Sequence, residues 1–168
     1  MAVVSAADLL MSKMYMHMVN DFVHFMNLSE SSNCPLMIQL DTSRATVRQL
    51  DDNDENNWEV IIEPVQSELR VFEDQARAQL GSDTPTTPPT SLKVSLNADV
   101  CVWFDENNER IDARTMMASS TPFTCVPIVA IHGFSMKRSA FDYEVVQMRY
   151  LRFKPPILPD LSNPLFLF

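Results

Sequence analysis

Residues 124–154, TCVPIVAIHGFSMKRSAFDYEVVQMRYLRFK, decide the fold. They read as two long β-strands joined by a short basic turn around Lys137 and Arg138. The first strand is apolar without interruption from Cys125 to Ile131, so both of its faces are covered. Pro127 has no N–H to give to a ladder and marks a bulge or an edge position there. The second strand changes phase. Its apolar positions begin odd (Phe141, Tyr143, Val145) and end even (Val146, Met148, Tyr150), so the inward face switches near Val145 and Val146. One extra residue in a ladder, a β-bulge, has this effect. Long bent strands that serve both halves of a closed sheet are typical of small barrels.

Working outward, the period of two recurs at Leu92, Val94 and Leu96, alternating with Lys93, Ser95 and Asn97, and a strand continues through residues 100–104. Residues 35–47 predict one or two short strands, residues 58–62 another, and residues 111–117 a further one. Pro64 stands at a favoured first-turn position of a helix over 64–80. Val65, Leu69, Phe72, Ala76 and Leu80 form its apolar stripe, and Gly81 is its natural C-cap. Residues 81–91 are a Pro- and Thr-rich loop. Ser5 and Asp8 resemble a capping box before Leu9, Leu10, Met14, Met18, Phe22, Phe25 and Met26, which predicts an N-terminal helix within residues 1–28. The expected organisation is that helix, a β-barrel domain over 35–154 and a proline-rich apolar tail over 155–168.

Composition excludes several classes. With Gly81 and Gly133 as the only glycines, the chain has no P-loop, no GxGxxG loop and no GxSxG elbow. Cys34, Cys101 and Cys125 lack metal-ligand spacing, and the latter two sit in apolar strand patterns as small buried hydrophobes. His17, Asp21 and His24 would share one face of the N-terminal helix, but a lone helix rarely completes a metal site, and none is expected. His132 has no oriented base beside it, and no Ser/His/Asp or Cys/His set stands out. The expectation is a protein without catalytic residues, metal or cofactor. No apolar run approaches the ~20 residues of a membrane span, so no membrane association is expected, and an intracellular or virion location follows.

The net charge is −9, from 13 basic and 22 acidic residues, which opposes nucleic-acid binding by bulk electrostatics. Distribution matters more. Acid is concentrated in residues 51–112, whereas Lys137, Arg138, Arg149, Arg152 and Lys154 outnumber Asp142 and Glu144 in the strand pair. These cations alternate with Phe134, Tyr150 and Phe153. Cations neutralise phosphate and flat rings accept unstacked bases, so these eight residues are the candidate nucleic-acid contacts. Arg44, Arg48 and Lys93 are further candidates from neighbouring strands.

The order of elements resembles the OB-fold single-stranded DNA-binding proteins of short-tailed phages and nucleocytoplasmic large DNA viruses. Leu92, Val94, Leu96, Val102, Phe104 and Asp105 fit one hydrophobic pattern of that family. Val126, Pro127, Ile128, Ile131, Gly133, Ser139, Val145, Val146 and Gln147 fit a second. The resemblance covers about residues 35–154 and implies a mainly β fold with helices, an OB-like β-barrel. It further implies a non-enzymatic role in viral or mobile-element replication, with single-stranded DNA as the partner. A second copy of the chain and replication or virion proteins are candidate protein partners, the latter through Leu165, Phe166 and Phe168. The chain departs from the family in a tail whose only acid is Asp160, and in Phe141 where the family often has glycine. A structural or assembly protein using the same fold is the alternative expectation.

Overall fold

The predicted strand pair is present as β10 (Phe123–Ser135) and β11 (Ala140–Leu151), antiparallel along their whole length. The computed structural model describes residues 3–5, 9, 14–27, 35–83, 85, 89–118 and 121–151. The phase switch is a bulge. Ile128 faces Gln147 and Val129 faces Val145, which leaves Val146 without an opposite number. A second irregularity leaves His132 unpaired, between the pairs Ile131–Tyr143 and Gly133–Asp142.

β10 is long enough to meet three partners on its other edge. Its start pairs with β5 (Ser43–Gln49), its middle with β4 (Leu36–Gln39) and its end with β3 (Phe22–Asn27). Pro127 falls at the changeover between β5 and β4, where its missing N–H is not needed and its carbonyl accepts from the Leu40 amide at 3.0 Å.

From β5 the sheet continues through β6 (Asn57–Glu63) and β7 (Leu92–Asn97) to β11, and β11 returns to β10. The ring is therefore closed. Counting β4 and β5 as one bent strand, its order is first, second, third, fifth, fourth and back to the first. The single parallel contact joins the third to the fifth at Ser95 and Glu144. This is a five-stranded Greek-key barrel of the OB type. Val47, Val60, Ile62, Val94, Leu96, Val129 and Val145 alternate inward and are 0–1% exposed. Each such side chain contributes roughly 1.5–3 kcal/mol on burial. β8 (Val102–Phe104) runs parallel to β11, β9 (Arg110–Ile111) pairs with β8, and β1 (Val3–Ser5) pairs with β4.

Between β6 and β7 lies α1 (Ser67–Leu80), which buries Leu69, Phe72, Ala76 and Arg77. It begins three residues later than Pro64. Its end is as the sequence requires: Gly81 is left-handed at φ 69°, and the Ser82 amide reaches the Arg77 carbonyl at 2.9 Å. Residues 111–117 are not a strand beyond Ile111. Asp112 accepts from the Arg114 amide at 3.1 Å and caps the short helix α2 (Ala113–Met117).

The expected N-terminal helix is corrected for residues 14–27. They form a hairpin of β2 (Met14–Val19) and β3. Its two-residue turn, Asn20–Asp21, places Asn20 at φ 55°, a conformation that asparagine tolerates. Tertiary pairing selects strand over helix here, because β3 adds to the end of β10 and buries Val23 and Phe25. Gly133 makes that docking possible. A Cβ on it would lie 2.2 Å from the Val23 carbonyl oxygen and 2.5 Å from the Phe22 ring. Among the described residues, no helix is long and apolar enough to cross a membrane.

Candidate nucleic-acid interface

In an OB-type barrel the outer face of the second and third strands, with the loops joining strands one to two and four to five, forms the ligand surface. Here the four-to-five loop is residues 136–139, and it presents Lys137 and Arg138 to solvent. The loop is held from three directions. The Met136 amide donates to the Asp21 carbonyl in the β2–β3 turn at 2.8 Å. Arg77 of α1 donates from Nη1 to the Ser139 hydroxyl and from Nη2 to the Ser139 carbonyl, each at 3.0 Å. The Ser82 and Ser139 hydroxyls share a hydrogen bond at 2.9 Å. Ser139 sits at φ 51°, so these bonds also fix a backbone conformation uncommon outside glycine.

Arg77 is 7% exposed, and a buried guanidinium needs compensation. Besides its hydrogen bonds, it lies 5.1 Å from the Phe134 ring centroid and 5.3 Å from that of Phe141. One helical turn away, Glu73 accepts a short hydrogen bond from the Tyr143 hydroxyl. Burial pushes the Glu73 carboxyl above its ordinary 4.5, with Tyr143 and Arg77 pulling the other way. Burial, and then the neighbouring Glu73, pushes Tyr143 well above 10, so the phenol keeps its proton and remains the donor at neutral pH. The same cause raises the Cys101 and Cys125 thiols to about 12, which leaves both as inert packing groups.

Of the sequence candidates, Lys137 and Arg138 are together and exposed. Phe134 is corrected: it is 0% exposed, covered by Arg77 and packed edge-on to Phe141 at 4.8 Å, and offers no face to a base. Its position on β10 puts it inside the cluster of Phe25, Phe72 and Phe141 that seats α1 and β3. Arg149 and Tyr150 lie toward the far end of β11, about 30 Å of extended chain from the turn at ~3.3 Å per residue. Tyr150 packs 5.7 Å from Phe123, and Arg149 is half-buried with Nε unpartnered. The structure thus separates the turn from these two residues. Arg152, Phe153, Lys154, Leu165, Phe166 and Phe168 lie outside the described residues.

Arg44, Arg48 and Lys93 all point outward from the ring. Arg48 bridges Glu59 at 2.6 Å, and Arg44 stands opposite Glu63 in register. Lys93 stands opposite Ile61. Beyond them is a polar hollow of about 310 Å³ lined by Asn56, Asn57, Ser95, Leu96 and Asn97 with the carboxylates of Asp54 and Glu144. The one-to-two loop, residues 50–56, carries Asp51, Asp52, Asp54 and Glu55 and repels phosphate. Sequence reasoning missed Arg77, Ser82 and Ser139. The available signal was an arginine four residues after Glu73 at the edge of the apolar stripe, where a solvated charge has no place.

Ring order and site together define an OB-type barrel with a basic four-to-five loop. Among solved structures the chain is similar to the single-stranded DNA-binding protein from bacteriophage Enc34. Its complex with single-stranded DNA matches at TM-score 0.48 and 8% identity, over 84% of this chain and 96% of that one. Its C-terminal truncation matches at TM-score 0.49 and 9% identity, over 88% and 99%. No family model and no curated protein matches the chain.

Proposed function

We propose that this protein binds single-stranded DNA without catalysis, as an intracellular replication protein of a virus or mobile element. The observation that carries the reading is the exposed Lys137–Arg138 pair on a rigid four-to-five loop of a closed OB-type ring. Such a loop is one of the two by which these barrels hold oligonucleotides. The acidic one-to-two loop confines phosphate to the opposite side, toward Lys137, Arg138 and Lys93, while Asn57, Ser95 and Asn97 supply neutral donors and acceptors. A net charge of −9 is no obstacle when the cations are grouped.

The test is fluorescence anisotropy of a labelled oligonucleotide across a salt series, with the wild-type chain and the variant Lys137→Gln/Arg138→Gln. The variant's log–log salt slope is expected to be shallower by about 1.4, at ~0.7 per single-strand phosphate contact. Both residues are exposed, so the fold is retained. An unchanged affinity and slope would remove the loop from the interface.

A further inference from the structure

We propose that His17, His24 and His132 enclose a docking pocket for one unstacked nucleobase of a bound single strand; this deepens the proposed function and rests on it. These are all the histidines of the chain, and every one of them lines the same cavity of about 440 Å³. Two independent features of the fold bring them there. The hairpin turn at Asn20 and Asp21 sets His17 directly opposite His24 on the exposed side of β2 and β3. The bulge in β10 leaves His132 unpaired in the ladder, and bulges commonly re-aim a side chain. Gly133, the next residue, lets the hairpin approach β10 closely enough for the three rings to face one space.

The chemistry of the walls selects the ligand. Val19, Met26 and Pro35 make the space largely apolar, and none of its described lining residues is Lys, Arg, Asp or Glu. A phosphate finds no lysine or arginine among its described walls. Among the described residues, no three His, Cys, Asp or Glu side chains are placed to hold a metal ion. What remains is a flat, largely uncharged ring with polar edges. Imidazole planes stack on it, and their nitrogens meet its edge donors and acceptors. His132 is oriented for this role by Glu144, whose Oε2 lies 2.7 Å from its Nε2. Glu144 also borders the polar hollow beside Ser95 and Asn97, so one side chain links the pocket to the outer face of the barrel.

With three histidines in the chain, the imidazole Cε1–H signals in a proton NMR spectrum form a complete reporter of the pocket. Titration of the full chain with oligo(dT) is expected to shift the His17 and His24 signals, and an abasic oligonucleotide of equal length to leave them in place. His17→Ala/His24→Ala is expected to weaken oligo(dT) binding about tenfold while keeping its salt slope, because a base contact and no phosphate contact is lost. Binding by anisotropy without movement of these signals, or equal movement with the abasic strand, overturns the pocket and leaves the strand-binding reading standing. Thymidine monophosphate moving them in place of the oligonucleotide assigns the pocket to free nucleotides and overturns the strand assignment. No oligonucleotide binding at all ends both readings.

Discussion

The two loops that define an OB-type ligand surface are built in opposite ways here. Residues 50–56 are acidic and are shaped largely by their own side chains, with Arg114 of α2 reaching Glu55 at 3.3 Å and Asn56 at 3.5 Å on the exposed side. The Asp51 carboxylate accepts from the Asn53 amide at 2.9 Å, Asp54 from the Asn56 amide at 3.0 Å, and the Trp58 indole donates to the Glu55 carbonyl at 2.8 Å. Residues 136–139 are basic and are shaped from outside, by Arg77 and Ser82 after 62 and 57 intervening steps of chain. An acidic loop satisfies its backbone with its own carboxylates, because Asp and Asn side chains bond amides two residues on. Lys and Arg have no acceptor for a backbone N–H. A basic loop that must stay rigid therefore takes its acceptors from outside its cations: the Ser135 hydroxyl at its own edge accepts from the Arg138 amide at 3.2 Å, and the remaining bonds and the clamp come from elsewhere in the fold.

The sharpest way to break this contrast is Arg77→Ala. It removes two charged hydrogen bonds to Ser139 and the contacts over Phe134 and Phe141. A loss of about 3 kcal/mol of unfolding free energy in urea is expected. Amide exchange should accelerate over residues 136–139 and remain unchanged over 50–56. Equal loosening of both loops would show that Arg77 supports the whole barrel and not the turn.

A smaller effect is expected from Glu73→Gln, which keeps an acceptor for the Tyr143 hydroxyl. The sign follows from the raised carboxyl of Glu73. Between its unfolded value near 4.5 and its higher folded value, the folded state binds more protons than the unfolded one, so stability falls as pH rises through that window. The glutamine variant has no such proton to lose. Thermal unfolding followed from pH 4 upward should show the wild type declining relative to the variant, and parallel curves would assign the raised carboxyl no energetic role.

The smallest effect belongs to the acidic loop. Asp51→Asn/Asp54→Asn preserves both amide acceptors and removes two charges. Stability should stay within about 0.5 kcal/mol, as for surface changes that leave local bonds intact. Affinity for a single strand should rise a few-fold at low salt, and the gain should vanish as screening shortens the reach of the charges. Anisotropy at two ionic strengths reads both. An increase that survives high salt would mean direct contact with the strand.

Much of the barrel was legible because its signals are local. The continuous apolar run of β10, the odd-to-even switch at Val145 and Val146, and the stripe ending at Gly81 each occupy a dozen residues or so of chain. The N-terminal hairpin was not. Its methionines and phenylalanines satisfy a helical period almost as well as a strand period, and the turn signal at Asn20 and Asp21 is only two residues long. Phe134 misled for a related reason. A phenylalanine beside a basic turn has the same sequence signature whether its ring faces solvent or Arg77. Residues 113–117 turned helical because Asp112 caps them, a bond that alternation over a short window does not register.

By itself, then, the sequence determined long bent strands, one amphipathic helix and a basic turn, since period, bulge and cap are properties of neighbouring residues. Only the tertiary structure decided that residues 14–27 are strands, that Phe134 is core and that Arg77 is the brace of Lys137 and Arg138. It alone gathered His17, His24 and His132 around one cavity. Each of these depends on pairing between segments more than 50 residues apart (β3 with β10, α1 with the turn), and such pairing is chosen by which buried surface fits, a quantity no local pattern contains.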